Sequence, residues 1–82
     1  MNKESIIQAI ERIVHVYRIW AIGVTDDTRK TWEDIGKPNS WFTWEADSEQ
    51  DATEVKAHFL AKGINPSEKE DKGRIVCLFL IP

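Results

Sequence analysis

Three groups of residues in this chain have the types and spacing that chemistry needs. The first is Thr25-Asp26-Asp27-Thr28-Arg29-Lys30, which follows an apolar run closing on Gly23-Val24. Two carboxylates beside a hydroxyl at a strand end can hold a divalent cation. The same residue types also cap helices, because an Asp or Thr side chain satisfies the free N–H groups of a first turn. For a carboxylate pair standing alone, the cap is the weightier reading. The second group is Asp51, Glu54 and His58, spaced by three and four residues and so placed on one side of a helix. Carboxylates and an imidazole at that spacing can ligate a transition metal, but a set confined to one helix lacks a closing ligand from another element. A solvated helix face with Glu54 and His58 as a local pair is the plainer alternative. The third group is aromatic: Trp20, Trp32, Trp41 and Trp44. Three of them lie on faces that read as buried, whereas Trp41 shares its face with Thr43 and Glu45. An exposed Trp41 would anchor a protein contact or stack on a base, though large aromatics are more often covered.

Two further residues invite a chemical reading and carry a structural one. Cys77 is the single cysteine, so no disulfide forms within the chain, and its apolar neighbours make it a small buried hydrophobe rather than an activated thiolate. His15 has no visible partner.

The elements that must position these groups follow from periodicity. Ile6, Ile7, Ile10, Ile13, Val14 and Tyr17 recur at helical spacing and predict a helix over about residues 4–15, opened by Ser5 with Gln8 or by Asn2. From Val16 to Val24 β-branched and aromatic residues predict a strand, apolar on both alternating faces and therefore covered on both sides. Asp26 or Asp27 then caps a short helix on which Thr28, Trp32 and Ile35 share a face, stopped by Gly36 and Pro38. Residues 40–46 alternate between an apolar face (Phe42, Trp44, Ala46) and a mixed one (Trp41, Thr43, Glu45), the pattern of a peripheral strand.

Asp47 with Gln50, or Ser48 with Asp51, opens a third helix with Ala52, Val55 and Phe59 as its buried stripe, widened by Ala57 and Leu60 and ended by Gly63. Residues 65–73 are polar and mixed in charge and read as a flexible loop. Ile75 to Ile81 is continuously apolar, as a central strand is. The expectation is a single α+β domain over residues 1–82, in the order helix-strand-helix-strand-helix-strand. Its three-stranded sheet is covered by helices on both faces, and a small three-layer α/β fold with parallel strands is the alternative.

At Ala21-Ile-Gly-Val-Thr-Asp-Asp-Thr-Arg-Lys30 the chain resembles the GIY-YIG nuclease superfamily. Ile22 and Gly23 match the end of that family's Tyr-Ile-Gly strand, and Thr25 and Asp27 match its Gly-x-Thr-x-Asp/Asn turn. Arg29 or Lys30 stands near the place of the catalytic arginine. Residues 47–63 look like the family's acidic helix, which presents a metal-binding glutamate at an Ala-x-x-x-Glu spacing. The resemblance implies a nuclease scaffold, with Arg29 and Glu54 as the catalytic pair and Mg²⁺ or Mn²⁺ as cofactor if activity is present. Two departures count against activity. Ala21 replaces the tyrosine, and the fourth residue after Ala52 is Lys56, a cation where a metal needs a carboxylate. Glu54 lies two positions from that place, a rotation of about 200° to the opposite face of a helix.

Composition narrows the partners. With 14 acidic and 11 basic residues the net charge is −3, so nonspecific binding to duplex nucleic acid is disfavoured. No stretch approaches the roughly 20 apolar residues of a membrane span. Charged residues within the first helix break any signal-peptide core, which makes a cytoplasmic location the default. The expected function is a small soluble binding module on a GIY-YIG-like scaffold, without catalysis or cofactor. Trp41, Thr25, Asp27, Arg29 and Lys30 are its candidate contacts, and protein or self-association is the kind of partner expected. A divergent metal-dependent endonuclease is the alternative.

Overall fold

The computed structural model describes residues 1–81, with residues 68–71 described by their backbone alone. The described elements are α1 (Lys3–Ile13), a 3₁₀ turn (Tyr17–Ile19), β1 (Trp20–Thr25), α2 (Thr28–Ile35), β2 (Trp41–Glu45), α3 (Glu49–Leu60), β3 (Asn65–Asp71) and β4 (Ile75–Leu80). The strands form one mixed sheet in the order β2-β4-β1-β3. β4 is antiparallel to β1 and to β2, and β3 is parallel to β1. Among the described residues the fold is therefore α+β with three α-helices, as expected, but the sheet has four strands rather than three.

The extra strand lies where residues 65–73 read as a loop. An edge strand needs no apolar face, because backbone pairing with β1 supplies its hydrogen bonds. Asn65 and Pro66 stand opposite Ala21 and Ile22, and the register then slips before Val24 reaches Asp71. A fully polar sequence can do this at a margin, so hydropathy did not reveal it.

Local chemistry fixes the helices. Asn2 caps α1, its side-chain oxygen accepting from Ser5 N–H at 2.8 Å. The helix stops at Ile13 because Val14 turns to extended backbone. Val16 and Ile19 are 45% and 44% exposed, so the strand covered on both sides begins only at Trp20. Asp27 caps α2 by accepting from Lys30 N–H at 3.0 Å. Gly36, at φ 105°, ends it, with Lys37 N–H reaching back to the Trp32 carbonyl at 2.8 Å. In α2 the buried residue is Thr31, while Thr28, Trp32 and Ile35 are only half-buried. Ser48 caps α3, and Gly63 at φ 106° closes it with Ile64 N–H bonded to the Phe59 carbonyl. Ala52, Val55 and Phe59 are buried as expected. Ala57 and Leu60 are exposed, and Lys56 takes a buried place instead.

The main core lies on one face of the sheet. Trp20, Ile22 and Val24 of β1 and Val76 and Leu78 of β4 pack against Ile6, Ile10 and Val14 of the α1 region and against Ala52, Val55 and Phe59 of α3. On the opposite face Ala21, Gly23, Thr25, Cys77 and Phe79 are buried. α2 covers that face, tied to it by a 2.7 Å hydrogen bond between the Thr25 and Thr31 hydroxyls. The handedness rule requires this division. The β1-to-β2 and β2-to-β3 crossovers travel in opposite directions across the sheet, so right-handed connections place α2 and α3 on opposite faces. Among the described residues no helix is long and apolar enough to cross a membrane.

Candidate functional site

The strand-turn-helix at Thr25–Lys30 is occupied by its own hydrogen bonds. Thr25 is fully buried. Its hydroxyl accepts from Asp27 N–H at 3.0 Å and shares a proton with Thr31. Asp27 spends its carboxylate on the α2 cap. Asp26 does not cap that helix; its carboxylate accepts from Arg74 N–H at 3.3 Å and so ties the β3–β4 turn to the end of β1. Gly73 makes this docking possible. At φ 143° it lies so close to Thr25 that a Cβ there would sit 2.2 Å from the Thr25 carbonyl carbon. Arg29 is exposed and pairs with Glu33 at 3.4 Å. Asp27, Arg29, Lys30, Glu33 and Asp34 line an open hollow of about 220 Å³ with charges of both signs. Of the candidate contacts, Asp27, Arg29 and Lys30 are exposed, Asp27 giving one carboxylate oxygen to the helix cap, whereas Thr25 is buried in the turn.

In α3 Glu54 is likewise committed to structure. Lys3 of α1 donates to Glu54 at 2.8 Å and Gln50 donates to its other oxygen at 3.0 Å. The hydrogen bond from Lys3 is the main reason that the Glu54 carboxyl titrates below its usual range, and the same bond raises Lys3. His58 stands edge-on to Phe59 at 4.9 Å between ring centres, with Nε2 enclosed. Among the described residues no group of three or more His, Cys, Asp or Glu side chains could hold a metal ion, so Asp51, Glu54 and His58 do not assemble into a site. Arg29 and Glu54 are not brought together either, since α2 and α3 cover opposite faces. Cys77 is completely buried, and burial pushes its thiol up to about 11, which removes it as a nucleophile near neutrality.

The aromatic residues meet along the β2 side of the sheet. Trp41 is half-buried, its ring 5.8 Å from Phe79, to which it is also paired in register. On the other face a row runs Trp20, Phe42, Trp44 with 6.2 Å between successive rings. The apolar face of this strand was expected to be buried, yet Phe42 is 38% exposed and Trp44 only half-buried. Trp32 is half-buried too, its indole N–H donating to the Pro38 carbonyl at 3.0 Å. Sequence reasoning singled out Trp41 and missed Phe42. Alternation assigns a face but not a position in the sheet, and an edge strand leaves part of its apolar face uncovered.

The backbone of β2 adds to this surface. Leu80 N–H bonds to the Ser40 carbonyl and Ala46 N–H to the Arg74 carbonyl, so even-numbered residues make the hydrogen bonds to β4. The N–H and C=O groups of Trp41, Thr43 and Glu45 therefore point to the open side. One of them, the Glu45 carbonyl, accepts from the amino group of Met1 at 2.8 Å. A larger hollow of about 460 Å³ lies where residues 35–40 meet Leu80 and Ile81; Trp41, Arg29 and Glu54 do not line it.

Comparison with known proteins gives no match: no family model fits the chain, and no curated protein and no solved structure is significantly similar to it.

Proposed function

We propose that this protein is a non-catalytic interaction module that works through the aromatic margin of its sheet formed by β2. The observation that carries the reading is the combination at that margin of outward-pointing backbone groups with a half-buried Trp41 and a 38% exposed Phe42. Exposed aromatics beside open strand groups are what strand-addition interfaces use: the main chain provides affinity and the alternating side chains provide selectivity. The candidate reactive side chains support the same reading from the other direction. Thr25, Asp26, Asp27 and Glu54 each have a structural partner. A GIY-YIG-like scaffold remains part of the proposal, carried by Ile22-Gly23 and the Thr25–Asp27 turn.

The experiment is an incubation of the purified protein with single- and double-stranded DNA and RNA in Mg²⁺ or Mn²⁺. The expected result is no cleavage. Cutting that disappears in Arg29→Ala would overturn the reading in favour of an endonuclease.

A further inference from the structure

We propose that one end of the molecule, where α1 stops, β1 and β2 begin and β4 finishes, binds an anionic lipid surface. Exposed aliphatic side chains enter the headgroup layer, and the cations around them meet lipid phosphates and carboxylates. This surface is not the β2 margin, and the inference does not depend on the reading given for that margin.

The carboxylates of the chain are unevenly placed. Its net charge is −3, yet no Asp or Glu occurs from Arg12 to Thr25, from Ile35 to Trp44 or from Ile75 to Pro82. The fold gathers these segments. Trp20 of β1 stands opposite Leu80 of β4, and Phe79 opposite Trp41 at the start of β2. At the other end, where Thr25, Ile75 and Glu45 align, lie Asp26, Asp27 and Asp47. α1 starts there, its Met1 amino group bonded to the Glu45 carbonyl, and so carries Arg12 to the carboxylate-poor end. Arg12, His15, Arg18 and Lys37 are exposed, and among the described residues their side chains form no ion pair. Glu11, which precedes Arg12, is itself paired with Lys62 at 3.4 Å.

The same end exposes aliphatic surface. Val16, Ile19 and Ile81 are 45%, 44% and 45% exposed. Their backbones are joined: Ile19 N–H donates to the Val16 carbonyl at 3.5 Å, and Ile81 N–H to the Ile19 carbonyl at 2.9 Å. Ile81 continues the surface into the hollow of about 460 Å³, which it lines with Ile35, Lys37 and Pro38. Cations without carboxylate partners select an anionic ligand, and the aliphatic side chains among them select its kind. Branched aliphatics offer no ring on which a base can stack, and valine is under-represented at the hot spots of protein interfaces. Aliphatic groups ringed by cations are what elements lying on an anionic bilayer present.

The test is co-sedimentation of the intact chain with vesicles of phosphatidylcholine alone and of phosphatidylcholine with about 30% phosphatidylserine. The expected result is binding to the anionic vesicles only, weakening as salt rises. Each cation near an anionic leaflet strengthens binding about fivefold, so Arg12→Gln with Arg18→Gln should weaken it about 20-fold or more. Val16→Ser with Ile19→Ser keeps every charge and should weaken it at least about tenfold. Lys72→Gln removes a charge at the far end and should change binding less than about twofold. All five positions are exposed, so the variants keep the fold, which circular dichroism melts verify. No binding to the anionic vesicles at low salt, or equal binding to both kinds, overturns the proposal. So does a loss in Lys72→Gln equal to that in the arginine pair, or binding undiminished by the two serines, since either leaves only diffuse charge attraction. Binding to polyglutamate but to neither vesicle overturns it too and assigns this end to an acidic protein.

Discussion

The two margins of this sheet are built on opposite principles. β3 is a polar strand, Asn-Pro-Ser-Glu-Lys-Glu-Asp, with a proline near its start and a slipped register along β1. Those are the devices by which a sheet discourages further strands from adding. β2 is aromatic and regular and carries none of them. The difference extends inward. β3 is locked to β1 by close fits: the Asn65 side chain donates to the Arg18 and Trp20 carbonyls at 2.7 and 3.0 Å, and a Cβ on Gly23 would lie 2.8 Å from the Cβ of Ser67. β2 is held by ring contacts and by one regular ladder. One margin is closed by shape and charge, and the other is left able to accept a strand.

The largest effect should come from breaking the closed margin. Gly73 sits at φ 143° in the turn between β3 and β4, with backbone atoms of Thr25 and Asp26 inside the space of any side chain. Those atoms belong to the end of a buried strand and cannot move aside. Gly73→Ala should destabilise the fold by about 3 kcal/mol or more, from combined backbone strain and overlap, as read from urea unfolding. A loss below about 1 kcal/mol would mean that the turn is loosely docked and the closed margin less rigid than its geometry implies.

How much of this contrast was legible in the sequence differs between the margins for a physical reason. Helix caps and stops are local, so the stops at Gly36 and Gly63 could be read directly, and the caps Asn2, Asp27 and Ser48 were each one of two candidates. Strands buried by their own side chains, such as β1 and β4, announce themselves by hydropathy. β3 does not, because its stability comes from the backbone groups of β1 and from the Gly23 gap, neither of which leaves an apolar pattern in residues 65–71. The candidate site was legible only in residue type. Thr25 and Asp27 were recognised as a turn, but that Asp26 reaches across to Arg74 depends on a chain segment far along the sequence. Trp41 was singled out as a candidate contact. The exposure of its neighbour Phe42 depends on β2 being outermost, which only the sheet order decides.

Cys77 reports on the interior between the two margins, since it stands opposite Gly23 of β1 and Thr43 of β2. Burial raises its thiol from 9.0 to about 11. The folded state therefore keeps its proton while the unfolded chain loses it. The corresponding stability is complete below about pH 9 and is lost as pH rises toward 11, a loss on the order of 2–3 kcal/mol. Lys56, whose ammonium is disfavoured by burial, contributes with the opposite sign in the same alkaline range. The measurement is accordingly a difference: unfolding free energy against pH for the wild type minus that for Cys77→Ala. That difference should fall between pH 9 and 11. A flat difference would mean that water reaches the thiol and that the sheet centre opens.

The smallest effect distinguishes the two sides of β2 itself. Trp44 gives its N–H to β4, whereas Thr43 turns its N–H outward. Relative to Trp44→Ala, Trp44→Pro should cost a further ~1–3 kcal/mol by deleting an internal ladder bond and leaving the partner carbonyl on β4 unmatched. Relative to Thr43→Ala, Thr43→Pro should cost less than about 1 kcal/mol in dilute protein, because the bond it deletes is made only to a strand added from outside. The alkaline loss carried by Cys77 supplies a check on the substitution. Cys77 lies directly across from Thr43, so a proline that disturbed the ladder would let water to the thiol and shift that loss, while one acting only on the outward side would leave it in place. Equal costs for the two prolines would mean that β2 has no free side, and the contrast between the margins would collapse.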